Sequence, residues 1–168
     1  HGAQYFARLT QRLINSITAP TAEGVLFEVD MRLRPSGSQG PVATSLESFR
    51  DYQKNSAWTW EKLALTRARV VSGDEDLAQA ISKAITASLC AERDAVTTCQ
   101  DVLDMRRLMV KEQGSAGLWD IKRARGGLVE VEFIAQFLQL IHARRHPEIL
   151  DTNTYAALGR LAAAGLLE

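Results

Sequence analysis

Charged and apolar side chains alternate over a short stretch near the start of the chain. The charged positions are Glu28, Asp30, Arg32 and Arg34, and the apolar ones are Val25, Phe27, Val29, Met31 and Leu33. Successive side chains of a strand point to opposite faces, so this alternation predicts a β-strand over residues 25–34. Carboxylates bind Mg²⁺ and guanidinium groups bind phosphate oxygens. The charged face therefore favours phosphoryl or nucleotidyl transfer, in which catalysis is mostly positioning and charge neutralisation.

Each charged residue of this face also has a purely structural interpretation. On a strand, Glu28 would lie about 6 to 7 Å from Asp30 on the same side, as a second metal ligand or as a partner of an arginine. Arg32 and Arg34 are equally suited to binding phosphate and to pairing with nearby carboxylates. A solvated strand face with cross-strand ion pairs explains all four residues without a site.

A second candidate site is the loop from Trp119 to Gly127. Lys122 and two further basic residues precede Gly126 and Gly127, which lead into a helix that carries Glu130 and Glu132. Free N–H groups and the dipole at a helix N-terminus favour an anion, so the loop is a candidate phosphate cradle. The alternative is a connecting loop whose basic residues pair with the two glutamates.

Helical periodicity predicts the elements that must position these residues. The predicted helices are 3–18, 46–54 with Ser45 as N-cap, one after Ser56, one after Asp74, one that stops at Gly114, 128–141, and about 153–164 capped by Asp151 or Thr152. After the predicted strand, residues 41–44 could pair back as a hairpin. The turn at Gly73 is the predicted boundary between an α+β part and an antiparallel helical bundle.

Composition excludes several classes of protein. The 168 residues carry 20 Lys and Arg against 20 Asp and Glu, a net charge of zero, and 46% are hydrophobic. The hydrophobic fraction excludes a disordered chain. A neutral chain lacks the field that steers a protein onto nucleic acid, so no nucleic-acid partner is expected. No apolar stretch approaches the length of a bilayer span, so we expect no membrane partner and a cytoplasmic location.

Several motifs carry a resemblance to a known family. They are Phe27-Glu28-Val29-Asp30-Met31-Arg32-Leu33-Arg34-Pro35-Ser36-Gly37, Asp51-Tyr52-Gln53-Lys54-Asn55, Ala57-Trp58-Thr59-Trp60-Glu61, Ala68-Arg69-Val70-Val71, Asp120-Ile121-Lys122, Gly126-Gly127 and Val131-Glu132-Phe133. Together they resemble the bifunctional glutamine synthetase adenylyltransferase family. The Tyr-Gln-Lys-Asn and Trp-Thr-Trp-Glu motifs resemble the second of its two nucleotidyltransferase halves. The likeness spans most of the chain.

The resemblance implies a fold and an activity. The fold class is α+β and predominantly helical: the C-terminal part of a polymerase-beta-type nucleotidyltransferase domain over residues 1–73, then a helical bundle over 74–168 that is cut short at its end. The implied reaction transfers AMP from ATP, with Mg²⁺, to a tyrosine of glutamine synthetase under control of the PII signalling protein. Asp30 matches the third metal-binding carboxylate of such folds.

The implied site is only partly present in this sequence. The family's Gly-Ser turn with its paired Ser-Asp-x-Asp is not found in this sequence, and we expect it upstream of His1. The chain alone is therefore expected to be inactive. We predict Asp30 as the catalytic residue, Asp30 and Glu28 as metal ligands, and Arg32, Arg34, Lys122, Gly126 and Gly127 as ATP-binding residues. The alternative function is a non-catalytic regulatory module that docks on glutamine synthetase or PII.

Overall fold

A computed structural model describes residues 2–25, 27–113, 117 and 119–167. The chain divides into two compact units, His1–Ala57 and Trp58–Glu168. Seven α-helices and one two-stranded sheet are found in the described residues, so the predicted predominance of helix is confirmed. In the same residues, no helix combines the length and the apolar character that crossing a membrane requires.

The first unit has one long helix, a small hairpin and a second helix. Its elements are α1 (Gly2–Thr18), β1 (Pro20–Thr21), β2 (Gly24–Val25), a 3₁₀ turn (Gly37–Gln39) and α2 (Leu46–Asn55). The strands are antiparallel, with Pro20 opposite Val25 and Thr21 opposite Gly24. Gly24 has a φ of +103°, which only glycine adopts easily, so the tight turn between the strands requires it.

The predicted strand over residues 25–34 is wrong in most of its length. Of the described residues in this stretch, only Val25 lies in a strand, Gly24–Val25; residues 27–31 are irregular, and residues 32–40 form turns and a 3₁₀ turn. Residue 26 lies outside the described residues. A strand exists only where a neighbour accepts its hydrogen bonds, and the neighbour found among the described residues, β1, has two residues. The hairpin predicted at residues 41–44 is also not formed, because these residues are irregular.

The second unit is built from helices around a small core. Its elements are α3 (Thr59–Leu65), α4 (Glu75–Leu89), α5 (Ala95–Gln113), α6 (Leu128–His142), a 3₁₀ turn (Pro147–Ile149) and α7 (Thr154–Ala163). The short helix α3 packs against α4, α5 and α6, while α7 packs against α6. Fully buried side chains from four of these segments meet in the core: Leu63, Leu140, Ile149 and Leu161.

Packing of α3 sets the division between the two compact units, while the domain boundary predicted at Gly73 stays a prediction. Because α3 contacts three later helices, it belongs to the helical unit, and the division falls after Ala57. The identity of residues 1–73 as the end of a nucleotidyltransferase domain, and the antiparallel arrangement of the helices, stay predictions.

Helix caps show which local predictions hold. The Ser45 hydroxyl accepts from the Ser48 N–H, and the Asp74 carboxylate accepts from the Leu77 N–H, so both predicted N-caps are confirmed. The cap predicted at Ser56 is wrong, since that residue ends α2 and α3 begins after Trp58. The predicted caps of the last helix are wrong as well, because Asn153 caps α7.

Two polar side chains, the buried Gln139 and the half-buried Arg93, join separate segments of the helical unit. The amide oxygen of Gln139, on α6, accepts from the Asp151 N–H at 3.0 Å and so holds the segment before α7. The Arg93 guanidinium donates to the carbonyl of Leu89 at 2.7 Å and to that of Leu140 at 3.5 Å, which links the ends of α4 and α6. Both contacts satisfy groups that burial would otherwise leave unpaired.

The core assignment predicts a stability difference between two leucines. Leu140 is 1% exposed and Leu108 is 53% exposed. Leu140→Ala should lower the free energy of unfolding by about 2–5 kcal/mol through lost burial and a cavity. Leu108→Ala should change it by less than about 0.5 kcal/mol. Urea unfolding followed by circular dichroism measures both, and equal effects would show that α6 is not in the core.

Candidate functional site

Asp30 and Arg32 form a compact local ion pair. The guanidinium donates from Nη2 to Oδ2 at 2.6 Å and from Nε to Oδ1 at 3.0 Å, and the Arg32 backbone N–H donates to Oδ1 at 2.9 Å. The Asp30 side chain keeps 56% of its exposure. Hydrogen bonds from Arg32 lower the pKa of Asp30 to about 2, so the carboxylate is ionised at neutral pH.

Arg34 is held differently, by main-chain carbonyls. Its Nε donates to Gly40 O at 3.0 Å, Nη1 to Met31 O at 2.8 Å and Nη2 to Ser38 O at 2.9 Å. These three bonds close the turn around Ser36, whose φ of 62° lies in the left-handed region. Arg34 therefore stabilises the loop after Asp30, a role that sequence reasoning did not weigh.

Glu28 is exposed and forms no hydrogen bond or ion pair with any residue that the structure describes. The strand register that would place it beside Asp30 is not formed, so the separation expected from strand geometry does not apply. Within the described residues, no group of three or more His, Cys, Asp or Glu side chains could hold a metal ion. Mg²⁺ is commonly bound by one or two carboxylates together with phosphates and water, and an exposed, ionised Asp30 fits that limited role.

The loop before α6 is closed by its own hydrogen bonds. Arg123 pairs with Asp120 at 2.7 Å. A Cβ on Gly127 would lie 2.6 Å from the Ile121 carbonyl oxygen and 2.7 Å from that of Ala124, so a side chain does not fit there. Gly126 has a φ of +77°. Both glycines are therefore required by the path of the loop.

Free N–H groups, the premise of the phosphate cradle, are not found where α6 begins. The Leu128 N–H donates to Ile121 O and the Val129 N–H to Lys122 O, each at 3.0 Å. The Gly126 N–H donates to a carboxylate oxygen of Glu130 at 2.8 Å. That premise is wrong for this conformation, while the predicted part of Gly126 and Gly127 in nucleotide binding stays a prediction.

The alternative, in which basic residues of the loop pair with Glu130 and Glu132, is met only in part: Arg125 attracts Glu130 electrostatically, but the close ion pairs of both glutamates are with arginines outside the loop. Glu130 accepts from Arg106 of α5, with Nη2 at 2.6 Å, and Glu132 accepts from Arg67, after α3, at 2.9 Å. The Gly126 N–H and Arg106 lower the pKa of Glu130. Sequence reasoning missed Arg106, because its partner lies in another helix and no local pattern marks it.

The predicted site residues thus fall into two groups. Asp30 and Arg32 are brought together in the first unit, with Arg34 in the adjoining turn. Lys122, Gly126 and Gly127 are brought together in the second unit, where Lys122 is exposed and its carbonyl accepts from α6. The first group offers an ionised carboxylate and a guanidinium, which suit a cation and a phosphate.

Comparison with known families decides the class of protein. The family model described as glutamate-ammonia ligase adenylyltransferase matches residues 1–84, half of the chain. The chain belongs to the glutamate-ammonia ligase adenylyltransferase family. The family resemblance predicted from the motifs is therefore confirmed. A second model, described as GlnD PII-uridylyltransferase, matches residues 78–168.

Curated relatives agree with membership of the adenylyltransferase family. A Bradyrhizobium diazoefficiens protein is 54% identical over 166 residues, and a Rhodopseudomonas palustris protein is 53% identical over 167 residues. Both are named bifunctional glutamine synthetase adenylyltransferase/adenylyl-removing enzyme. The alignments cover 99% of this chain but only 17% of each relative.

The ion pair predicts the titration of Asp30. In the chain its carboxyl should titrate near pH 2, and in Arg32→Gln it should move toward the ordinary value of about 3.9. Because the pKa in the folded state is lowered, the pair stabilises the folded state above about pH 4. That contribution is lost as the pH falls through 2. Carboxyl ¹³C NMR measures both pKa values, and an unchanged value in the variant would contradict the pairing.

The contacts of Gly127 predict opposite effects of the same substitution at two glycines. Gly127→Ala should lower the free energy of unfolding by about 1–3 kcal/mol, since the new Cβ meets main-chain oxygens. Gly159 lies inside α7, and a Cβ added there would have open space for 4 Å around it, so Gly159→Ala should raise the free energy of unfolding by about 0.5–1 kcal/mol. Chemical denaturation measures both, and a neutral Gly127→Ala would contradict the closed loop.

Proposed function

We propose that this chain is part of a nucleotidyltransferase that transfers AMP from ATP to a tyrosine of glutamine synthetase in the cytoplasm. The observation that carries the proposal is the family membership, together with the names of relatives about half identical over nearly the whole chain. The ionised, exposed pair of Asp30 and Arg32 supports it, because it supplies the two kinds of group that a metal and a nucleotide phosphate need.

Within this proposal Asp30 is a ligand or orienting charge for Mg²⁺, with Glu28 as a second carboxylate. In the transfer, the tyrosine oxygen loses its proton and bonds to the α-phosphorus, and the bond from that phosphorus to the bridging oxygen breaks, so that pyrophosphate leaves. The charge that Mg²⁺ would supply neutralises that of the phosphate oxygens. Both carboxylate oxygens of Asp30 accept hydrogen bonds from Arg32. Binding of Mg²⁺ by Asp30 would therefore require the guanidinium to turn toward phosphate oxygens. Exposed ion pairs are weak, so this exchange costs little free energy.

Arg34 and Lys122 take different parts. Arg34 donates hydrogen bonds to three carbonyls, and we assign it the role of shaping the turn beside the nucleotide. Lys122 is exposed on the loop before α6, and its ammonium is suited to a phosphate as a point charge. We further propose that the chain is inactive by itself, since its sequence lacks the Gly-Ser turn with a Ser-Asp-x-Asp pair.

A regulatory docking function is the second candidate. The match of residues 78–168 to a model described as a PII-uridylyltransferase favours it, since that name denotes an enzyme that acts on PII. In this alternative the helical unit binds PII or glutamine synthetase and contributes no catalytic group.

Substitution of Asp30 tests the catalytic proposal. In a full-length adenylyltransferase that carries this chain, Asp30→Asn should lower the rate of AMP transfer by at least about a hundredfold, because a metal-binding charge is lost. Asp104→Asn is the matched control: its carboxylate is also exposed and also pairs with an arginine, Arg107, but on α5. Transfer of labelled AMP to glutamine synthetase is measured. Full activity of Asp30→Asn with normal folding would remove Asp30 from the site.

Calorimetry on the 168-residue chain separates the two functions. The catalytic proposal predicts that the chain releases or absorbs heat on binding Mg-ATP and that this heat is lost in Asp30→Asn. Binding of PII or glutamine synthetase without any heat from Mg-ATP would instead favour the docking function.

A further inference from the structure

An open cavity of about 470 Å³ lies at the surface of the helical unit. Three separate segments line it: the stretch after α3, one side of α4, and the segment before α7 with one residue of α7 itself. Its volume lies in the range of small-ligand pockets. None of its lining residues belongs to the loop 119–127.

One cation in the wall, Arg160, already has an anionic partner in the protein. The Arg160 guanidinium pairs with the Asp151 carboxylate at 2.7 Å and also donates to the carbonyl oxygens of Leu150 at 2.8 Å and Glu148 at 3.2 Å. These contacts fix Arg160 in the wall and neutralise Asp151. The pair therefore contributes shape to the cavity and no net charge.

The second cation, Arg69, is available for a ligand. It belongs to the Ala68-Arg69-Val70-Val71 motif, and its exposed side chain forms no hydrogen bond or ion pair with a described residue. Arg67, two positions earlier, is instead occupied by Glu132 and does not line the cavity. The cavity thus holds one uncompensated positive charge, which favours an anion with one negative charge.

The rest of the lining is partly apolar and partly hydroxylated. The apolar side chains are those of Val70, Ile85, Leu89 and Leu150, and the hydroxyl groups are those of Thr66, Ser82, Thr86 and Thr152. Inorganic phosphate would leave the apolar wall uncovered and would bring a second negative charge toward Asp151. A carboxylate on a short alkyl chain satisfies both parts of the wall.

We propose that this cavity binds a small organic monocarboxylate, with its carboxylate on the Arg69 guanidinium and its alkyl chain against Ile85 and Leu89. The site is separate from the proposed AMP transfer, so either can fail without the other.

Calorimetric titration of the 168-residue chain with sodium acetate, butyrate and hexanoate at constant ionic strength tests the proposal. Binding should be saturable, and affinity should rise about two- to fourfold for each added methylene, because each buries apolar surface. Arg69→Gln should weaken butyrate binding by at least about tenfold through loss of the charge-assisted bonds. Arg69→Lys should retain part of the affinity, since the positive charge remains.

The matched control is Arg67→Gln, which removes an arginine of the same segment and should leave butyrate binding unchanged. Circular dichroism verifies that each variant is folded. The proposal is overturned by absence of saturable binding, by affinity independent of chain length, by tighter binding of inorganic phosphate than of hexanoate, or by equal loss in the Arg67 and Arg69 variants.

Discussion

The loop 119–127 of the second unit depends on the hydrogen bonds that the Glu130 carboxylate accepts. This carboxylate accepts from the Gly126 N–H at 2.8 Å and from Arg106 Nε at 2.7 Å, so one side chain of α6 joins the loop before it to α5. Arg106 also donates to the Arg123 carbonyl at 3.4 Å. Because Glu130 and Arg106 are both less than a third exposed, water screens their attraction less than that of a surface pair. The loop is thereby held from two helices at once.

The pair of Asp30 and Arg32 has the opposite character. Its members are two residues apart, and the Arg32 side chain is 84% exposed, so their contact fixes only a local turn. Such pairs contribute little to stability and are screened by salt. A weak pair of opposite charges can exchange partners when a ligand arrives, whereas the Glu130 contact, which organises a loop, cannot do so without disturbing it. This difference is consistent with the ligand binding proposed for the first pair and with a structural role of the second.

The sequence predicted best what is determined within one turn of helix. The cap at Ser45 depends on a side chain and an N–H three residues away, and the cap at Asp74 does so too, so both could be read locally. The strand predicted over residues 25–34 needed a neighbouring strand, and the described residues do not provide one of that length. The alternation after Val25 carried no information about such a neighbour. The link between Arg106 and Glu130 crosses 24 positions and likewise left no local pattern.

The same limit explains why a glycine pair before a helix was ambiguous. Such a pair can leave N–H groups open for an anion, or it can let a loop close tightly on itself, and both need residues without a Cβ. What separates the two is whether the N–H groups already have acceptors. Here the carbonyls of Ile121 and Lys122 and the carboxylate of Glu130 fill that role. In this conformation these N–H groups are therefore engaged within the protein, and the part of Lys122, Gly126 and Gly127 in nucleotide binding stays a prediction.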